Sequence, residues 1–241
     1  MKSKGRVAGC RAILYSFFAQ ALSSPSDALV RGICDGSLGL TVAAAFDGAP
    51  LPHRRMIDAS QTVALASRDS ERATRDRLLV EYTRLYGAAL MCPHYEADHV
   101  GGDPFRAVHI ISDIAAFYAT FGVRVAAGAC ERPDYIGIEL DFMKFLTAKQ
   151  SLAVVQKQWQ HSRICRAAQE KFFREHLGQW ASGFASGLIE ATSDRFYEAV
   201  GQLLLQFVAA ERTYLRLVQA EFAYPGVGRP TDPTYEMEVR S

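Results

Sequence analysis

The densest group of chemically capable side chains lies between Cys92 and His99, where Cys92, His94, Glu96, Asp98 and His99 fall within eight residues. Thiolate, imidazole and carboxylate are the ligand types of zinc and other transition metals. The step from His94 to His99 is five residues, not the four that stack two imidazoles on one helix face, so a complete ligand set needs residues from elsewhere. The same loop suits thiol chemistry, with His94 or His99 as the base that takes the Cys92 proton. An all-helical metal- or thiol-dependent enzyme using Cys92, His94 and His99 is therefore the alternative function. His161 and Cys165 stand at i,i+4, but Arg163 and Arg166 beside them mark an exposed helix face. Gly101-Gly102 lacks the strand–turn–helix setting of a phosphate loop. The basic row Lys157, His161, Arg163, Arg166, Lys171 and Arg174 is interrupted by Glu170 and Glu175, as on a solvated face.

The elements around this loop follow the helical period. A first helix carries Ile13, Phe17 and Ala21 beside Leu14 and Phe18. Pro25, after two serines, starts a second helix through Ile33, and Gly32, Gly36 and Gly39 then break the chain. Pro50 and Pro52 punctuate the entry to a helix over roughly 53–67. Ser67 to Arg84 offers the i,i+4 pairs Glu71–Arg75, Arg72–Asp76 and Arg77–Glu81 on its solvated face, with Leu78, Leu79, Tyr82, Leu85 and Tyr86 facing inward. Gly87 to Gly102 reads as a loop. Asp103-Pro104 caps and opens a helix striped by Ile110, Ile114, Phe117 and Phe121, which Gly122 stops. Pro133 and Asp134 open a long helix with Ile136, Leu140, Met143 and Leu146 on one face. Phe172, Leu177, Trp180 and Phe184 mark the next, and Phe196, Val200, Leu203, Phe207, Val208, Tyr214 and Val218 the last.

No segment alternates as a strand does, and no repeat recurs, so the fold class is all-α, with about nine or ten helices in one body over residues 1–224. A sub-boundary falls near 122–132, and residues 225–241, with Pro225, Pro230 and Pro233, form an extended or disordered tail. Of the 241 residues 49% are apolar, and 27 basic against 26 acidic side chains leave a net charge of +1. That balance excludes wholesale disorder and argues against a dedicated nucleic-acid or polybasic membrane protein. Near-neutral charge and the lack of a helix-turn-helix count against a DNA-binding regulator. No apolar stretch reaches the about 20 residues of a membrane span. Lys2, Lys4 and Arg6 before Ala12–Leu22 imitate a signal peptide, but Arg11, Tyr15, Ser16 and Gln20 interrupt the apolar core, as in a packed helix. Five cysteines, an odd count without C-x-x-C, indicate reduced, intracellular usage.

Two segments carry a family resemblance. One is Glu81-Tyr82-Thr83-Arg84-Leu85-Tyr86-Gly87 followed by Cys92-Pro93-His94-Tyr95-Glu96; the other runs from Glu131-Arg132-Pro133-Asp134-Tyr135 through Ile136-Gly137-Ile138-Glu139-Leu140-Asp141-Phe142-Met143. Together, and over roughly residues 10–220, the chain resembles the TorD/DmsD/NarJ family of redox-enzyme maturation chaperones. Support comes from Asp113-Ile114-Ala115 through Phe121-Gly122, and from His176-Leu177 through Trp180. Tyr135 stands where the family signature has His.

The resemblance implies a cytoplasmic, all-helical chaperone, not an enzyme, with no cofactor and no metal. It would bind the apo catalytic subunit of a molybdopterin-dependent oxidoreductase, and its twin-arginine signal peptide, before export. A leader peptide joins an apolar helical stretch to two arginines, so its receiver needs an apolar groove with carboxylates at the rim. Tyr82, Leu85, Tyr86 and Tyr95 are the expected groove residues and Glu96, Glu131 and Asp134 the expected rim; Pro93, Pro133 and Tyr135 complete the expected client-binding set. Long helices joined by hinges at Gly122, Gly128 and Gly137 predict monomers or dimers that exchange helices. The 92–96 segment is kept in the family without needing a metal.

Overall fold

Side-chain caps set four of the helix starts. Ser26 accepts from Leu29 N (3.2 Å) and begins α2, Asp27–Cys34. Ser70 accepts from Ala73 N and begins α4, Glu71–Tyr86. Asp103 accepts from Phe105 N, with Pro104 in the first turn of α5, Pro104–Thr120. Asp194 accepts from Phe196 N and Tyr197 N and begins α9, Arg195–Leu215. Each cap satisfies one of the amides that the first turn leaves without an intrahelical partner. The others are α1 (Lys4–Ala21), α3 (Ser37–Gly48), α6 (Ile136–Val155), α7 (Trp159–Glu175) and α8 (Leu177–Ala191), with a 3₁₀ turn at Glu96–His99. The computed structural model describes residues 4–49, 66–87, 91–99, 103–126 and 131–217. Among them are these nine helices and no strand, so the fold is all-α.

The core forms where α1 lies along α6, flanked by α3, α7 and the antiparallel pair α8–α9. Leu14, Phe18, Leu140, Met143, Phe172, Phe184 and Phe207 are all buried there. A polar bolt crosses this interior. Arg11 donates to both carboxylate oxygens of Glu211 (2.7 and 2.5 Å) and to Gln169 (2.7 Å), and the Tyr15 hydroxyl donates to Glu211 (2.7 Å). Arg11 and Glu211 are wholly buried, so the pair is tolerated only because its hydrogen bonds are made.

Several expected boundaries shift. α2 starts at Asp27, with Ser26 rather than Pro25 as its signal. Of the three expected glycine breaks, only Gly36 acts as one. It takes a left-handed conformation (φ +75°) between α2 and α3, which meet at 87°. Gly32 and Gly39 lie inside helices. Ile13 and Leu79 face solvent, while Leu14, Leu78, Leu85 and Tyr86 are buried. The set Phe172, Leu177, Trp180 and Phe184 spans two helices, because His176 (φ −128°, ψ −98°) breaks the chain between α7 and α8. Cys165 is buried rather than exposed. Gly122 (φ +71°) stops α5 as expected, whereas Gly137 lies within α6 and cannot serve as a hinge. Of the expected ion pairs on α4, Arg72–Asp76 forms on the surface. Arg75 instead meets Asp27, and Arg77 meets Asp194. Glu81 accepts two bonds from Arg84, one from Thr192 Oγ1 (2.6 Å) and one from Ser193 N, tying α4 to the α8–α9 turn. Those bonds, led by Arg84, hold its carboxyl down at about 2. The expected helix over roughly 53–67, apart from its non-helical last two positions, and the tail from 225 lie outside the described residues.

Candidate functional site

The two segments singled out in the sequence meet. Glu96 N donates to Asp134 O (2.9 Å) and Ile136 N to His94 O (3.0 Å), an antiparallel bridge that pairs Tyr95 with Tyr135. The Tyr95 hydroxyl donates to Glu131, and the Arg132 guanidinium lies 4.1 Å from the Tyr95 ring centroid. Cys92 N donates to Leu85 O, fixing the 91–99 loop to the end of α4.

Tyr135 is a bolt within this junction. It is buried, its hydroxyl donates to Leu22 O at the end of α1, and its ring packs beside His94 and Tyr95. Gly137 is required next to it: a Cβ there would come within 2.6 Å of Tyr135 Cε1 and 3.0 Å of Ser23 Oγ. α6 begins at Ile136, one residue beyond Tyr135, so Pro133 and Asp134 form a turn ahead of the helix rather than its first turn.

The expected acidic rim divides. Glu96 and Asp134 are wholly buried. Asp134 accepts from Ala97 N (3.1 Å) and from two guanidinium nitrogens of Arg132 (3.0 and 2.9 Å), so its role is to close the junction. Glu96 faces inward toward His176 Nδ1 (3.4 Å) and Glu139, and His176 Nε2 lies 3.4 Å from Asp113. Burial, with the Glu96 charge beside it, pushes the Glu139 carboxyl well above the usual carboxylate range; Trp180 Nε1 donates to it at 3.3 Å. Only Glu131 of the three expected rim acids is partly exposed. Of the other expected client-binding residues, Pro93 is exposed, Tyr82, Tyr95 and Pro133 are half-buried, and Leu85, Tyr86 and Tyr135 are buried.

Cys92, His94 and His99 do not form a converging set. Burial pushes the Cys92 thiol up to about 12, and its Sγ faces Phe184 O (3.9 Å). Burial lowers His94, whose ring sits among Tyr86, Tyr95 and Tyr135. His99 Nε2 meets Pro93 O at 3.0 Å. No three His, Cys, Asp or Glu side chains among the described residues are placed to share a metal ion.

A groove of about 550 Å³ opens beside Tyr135, which is one of its lining residues. Its floor is Ala19, Tyr118, Val125, Ile138, Phe142 and Phe145, and Ser23, Ser24 and Ser26 of the α1–α2 turn line one wall. Glu131 and the exposed Asp141 stand among its lining residues, with Arg124 the cation there. Ile138, Asp141, Phe142 and Phe145 recur at i, i+3, i+4 and i+7, a second stripe of α6 beside the core stripe of Ile136, Leu140, Met143 and Leu146. That stripe was readable in the sequence, whereas the serine wall, contributed from α1–α2, had no local signal.

Residues 53–186 match the family model described as nitrate reductase delta subunit. The chain is 31% identical over 101 residues to a perchlorate reductase assembly chaperone protein of Dechloromonas aromatica, covering 42% of this chain and 44% of that one. It is 25% identical over 130 residues to the chaperone protein TorD of Vibrio parahaemolyticus, covering 50% and 59%. It is 30% identical over 106 residues to a selenate reductase assembly chaperone protein of Thauera selenatis, covering 44% and 53%. The matched region spans about half the length of these curated relatives. No solved structure matches.

Proposed function

Because the chain belongs to the nitrate reductase delta subunit family, we propose that it is an assembly chaperone rather than a catalyst. Its client is the apo catalytic subunit of a molybdopterin-dependent oxidoreductase, held in the cytoplasm until cofactor insertion and assembly are complete. The names of its relatives, chaperones for perchlorate and selenate reductases and TorD, support the client class. No helix among the described residues is by itself long and apolar enough to cross a membrane, which accords with a carrier that meets its client before export.

The observation that carries the binding mode is the groove beside the 131–136 junction. An apolar floor with Glu131 and Asp141 at its edge matches a peptide that joins an apolar stretch to two arginines. The client's twin-arginine signal peptide lies along Ile138, Phe142 and Phe145, and its arginines meet the two carboxylates. Tyr82, Pro93 and Tyr95 form a second shelf across Tyr135 for the adjoining client chain. Leu85, Tyr86, Glu96, Pro133, Asp134 and Tyr135 act by holding the junction in shape. The protein works as a monomer or as a dimer that exchanges helices about Gly122.

Calorimetry at low salt, with a synthetic leader peptide carrying an arginine pair and an apolar segment, tests this. Glu131→Gln with Asp141→Asn should weaken binding by about tenfold or more, since charge-assisted bonds contribute about 1.5–3 kcal/mol each. Ile138→Asp should abolish it. Unchanged affinity in both variants, with the helical signal intact, would place recognition elsewhere.

A further inference from the structure

The turn between α6 and α7 carries large apolar side chains into solvent, with basic charge around them. Leu152 and Val155 occupy the last turn of α6, Trp159 opens α7, and Ile164 lies about one turn further on. Their exposures are 55%, 73%, 58% and 49%. A single exposed apolar side chain is ordinary; four gathered at one hairpin tip mark a contact surface.

The charge around them has one sign. Between Phe142 and Gln169 the sequence contains no Asp or Glu. Lys144 is held by Asp141 and Arg166 by Glu170, but no carboxylate among the described residues pairs with Lys149, Lys157 or Arg163. The start of α1 abuts the tip: Ser151 Oγ donates to Gly5 O (2.8 Å), which brings the exposed Lys4 beside it. The connection itself, residues 156–158, is exposed.

We propose that this tip docks the protein reversibly on an anionic lipid surface. Such a surface offers phosphate charge to Lys149, Lys157 and Arg163, and a shallow apolar layer to Val155 and Trp159. Trp suits that boundary because its ring is apolar and its N–H stays near water. A cavity of about 300 Å³ beneath the tip, lined partly by Leu152 and Ile164, would take one side chain of a protein partner. Val155 and Trp159 lie outside it, and a bilayer surface covers all four. The inference is independent of the groove, which opens on different residues.

Trp159 supplies the readout, because the only other tryptophan, Trp180, is buried. The full chain is mixed with vesicles of phosphatidylcholine alone, or with phosphatidylglycerol added at about a third of the lipid to set a negative surface potential. The expected result is a blue shift of Trp159 emission and co-sedimentation with the anionic vesicles only, both reversed by high salt. Lys149→Glu with Lys157→Glu and Arg163→Glu should lower partitioning by at least about tenfold, with the helical signal unchanged. Trp159→Phe should keep co-sedimentation and lose the shift. Absent binding at low salt, equal binding to both vesicles, or binding indifferent to charge reversal would overturn the proposal. A shift with polyglutamate but not with anionic vesicles would also overturn it, assigning the tip to an acidic protein partner.

Discussion

Replacing Glu139 by Gln should stabilise the protein, and by more as the pH rises. Glu139 is wholly buried in α6, accepts from Trp180 Nε1 at 3.3 Å and shares a hydrogen bond with Glu96. Burial and the Glu96 charge raise its titration well above that of a free carboxyl, so the native state keeps a proton that the unfolded chain gives up above about pH 4.3. Unfolding therefore releases a proton, and stability falls as pH rises from the unfolded value toward the folded one. The slope for one proton is about 1.4 kcal/mol per pH unit, so wild type should lose up to about 2.7 kcal/mol between pH 5 and pH 7 through this group. Gln keeps the shape, accepts from Trp180 and donates to Glu96 as the protonated acid does, but has no proton to lose. Urea denaturation of both proteins at pH 5, 6, 7 and 8 isolates the effect, because every other group is common to both. A stability difference that does not change across this range would mean that Glu139 is ionised in the native protein.

Other outcomes follow from the same geometry. Arg11→Met alone should cost about 3–5 kcal/mol by denaturation, because it strands Glu211 inside the core, and Arg11→Met with Glu211→Met should recover much of that loss. Gly137→Ala should cost about 1–3 kcal/mol by forcing Tyr135 aside. Tyr135→Phe should lower stability by about 1–2 kcal/mol, since Leu22 O loses its donor. With its thiol pushed up to about 12, Cys92 should react with a disulfide reagent at pH 8 only on unfolding, whereas the partly buried Cys10 and Cys34 should react faster, in the native protein.

What the sequence reveals depends on how local each cause is. The start of α5 was legible because Asp103, Pro104 and the stripe of Ile110 and Ile114 act within one helix. The meeting of 92–96 with 131–136 was anticipated by the family resemblance, not by any pattern within either segment. α3 was hidden because Gly36 and Gly39 read alike, though only Gly36 has a left-handed backbone; Leu38, Val42 and Phe46 were the overlooked stripe. The burial of Glu96 and Asp134 had no local signal, because a carboxylate's type does not disclose its partners. Asp134 is buried since Ala97 N and Arg132, supplied by tertiary contact, satisfy it. Two of the three expected pairs on α4 are replaced for a related reason: Asp27 and Asp194 arrive from elsewhere in the chain and take Arg75 and Arg77, while Arg72–Asp76 forms.

The Arg11–Glu211 bolt joins residues 200 positions apart, and that separation constrains synthesis. At about 5–20 residues per second, roughly 10–40 s pass between the emergence of the two partners from the ribosome. Throughout that interval α1 exists without the carboxylate that makes burial of its guanidinium tolerable, so α1 cannot reach its final seat until the ninth helix arrives. The nascent chain thus holds its first helix in waiting, and a message truncated before codon 211 yields a chain in which Arg11 lacks the carboxylate that its burial calls for.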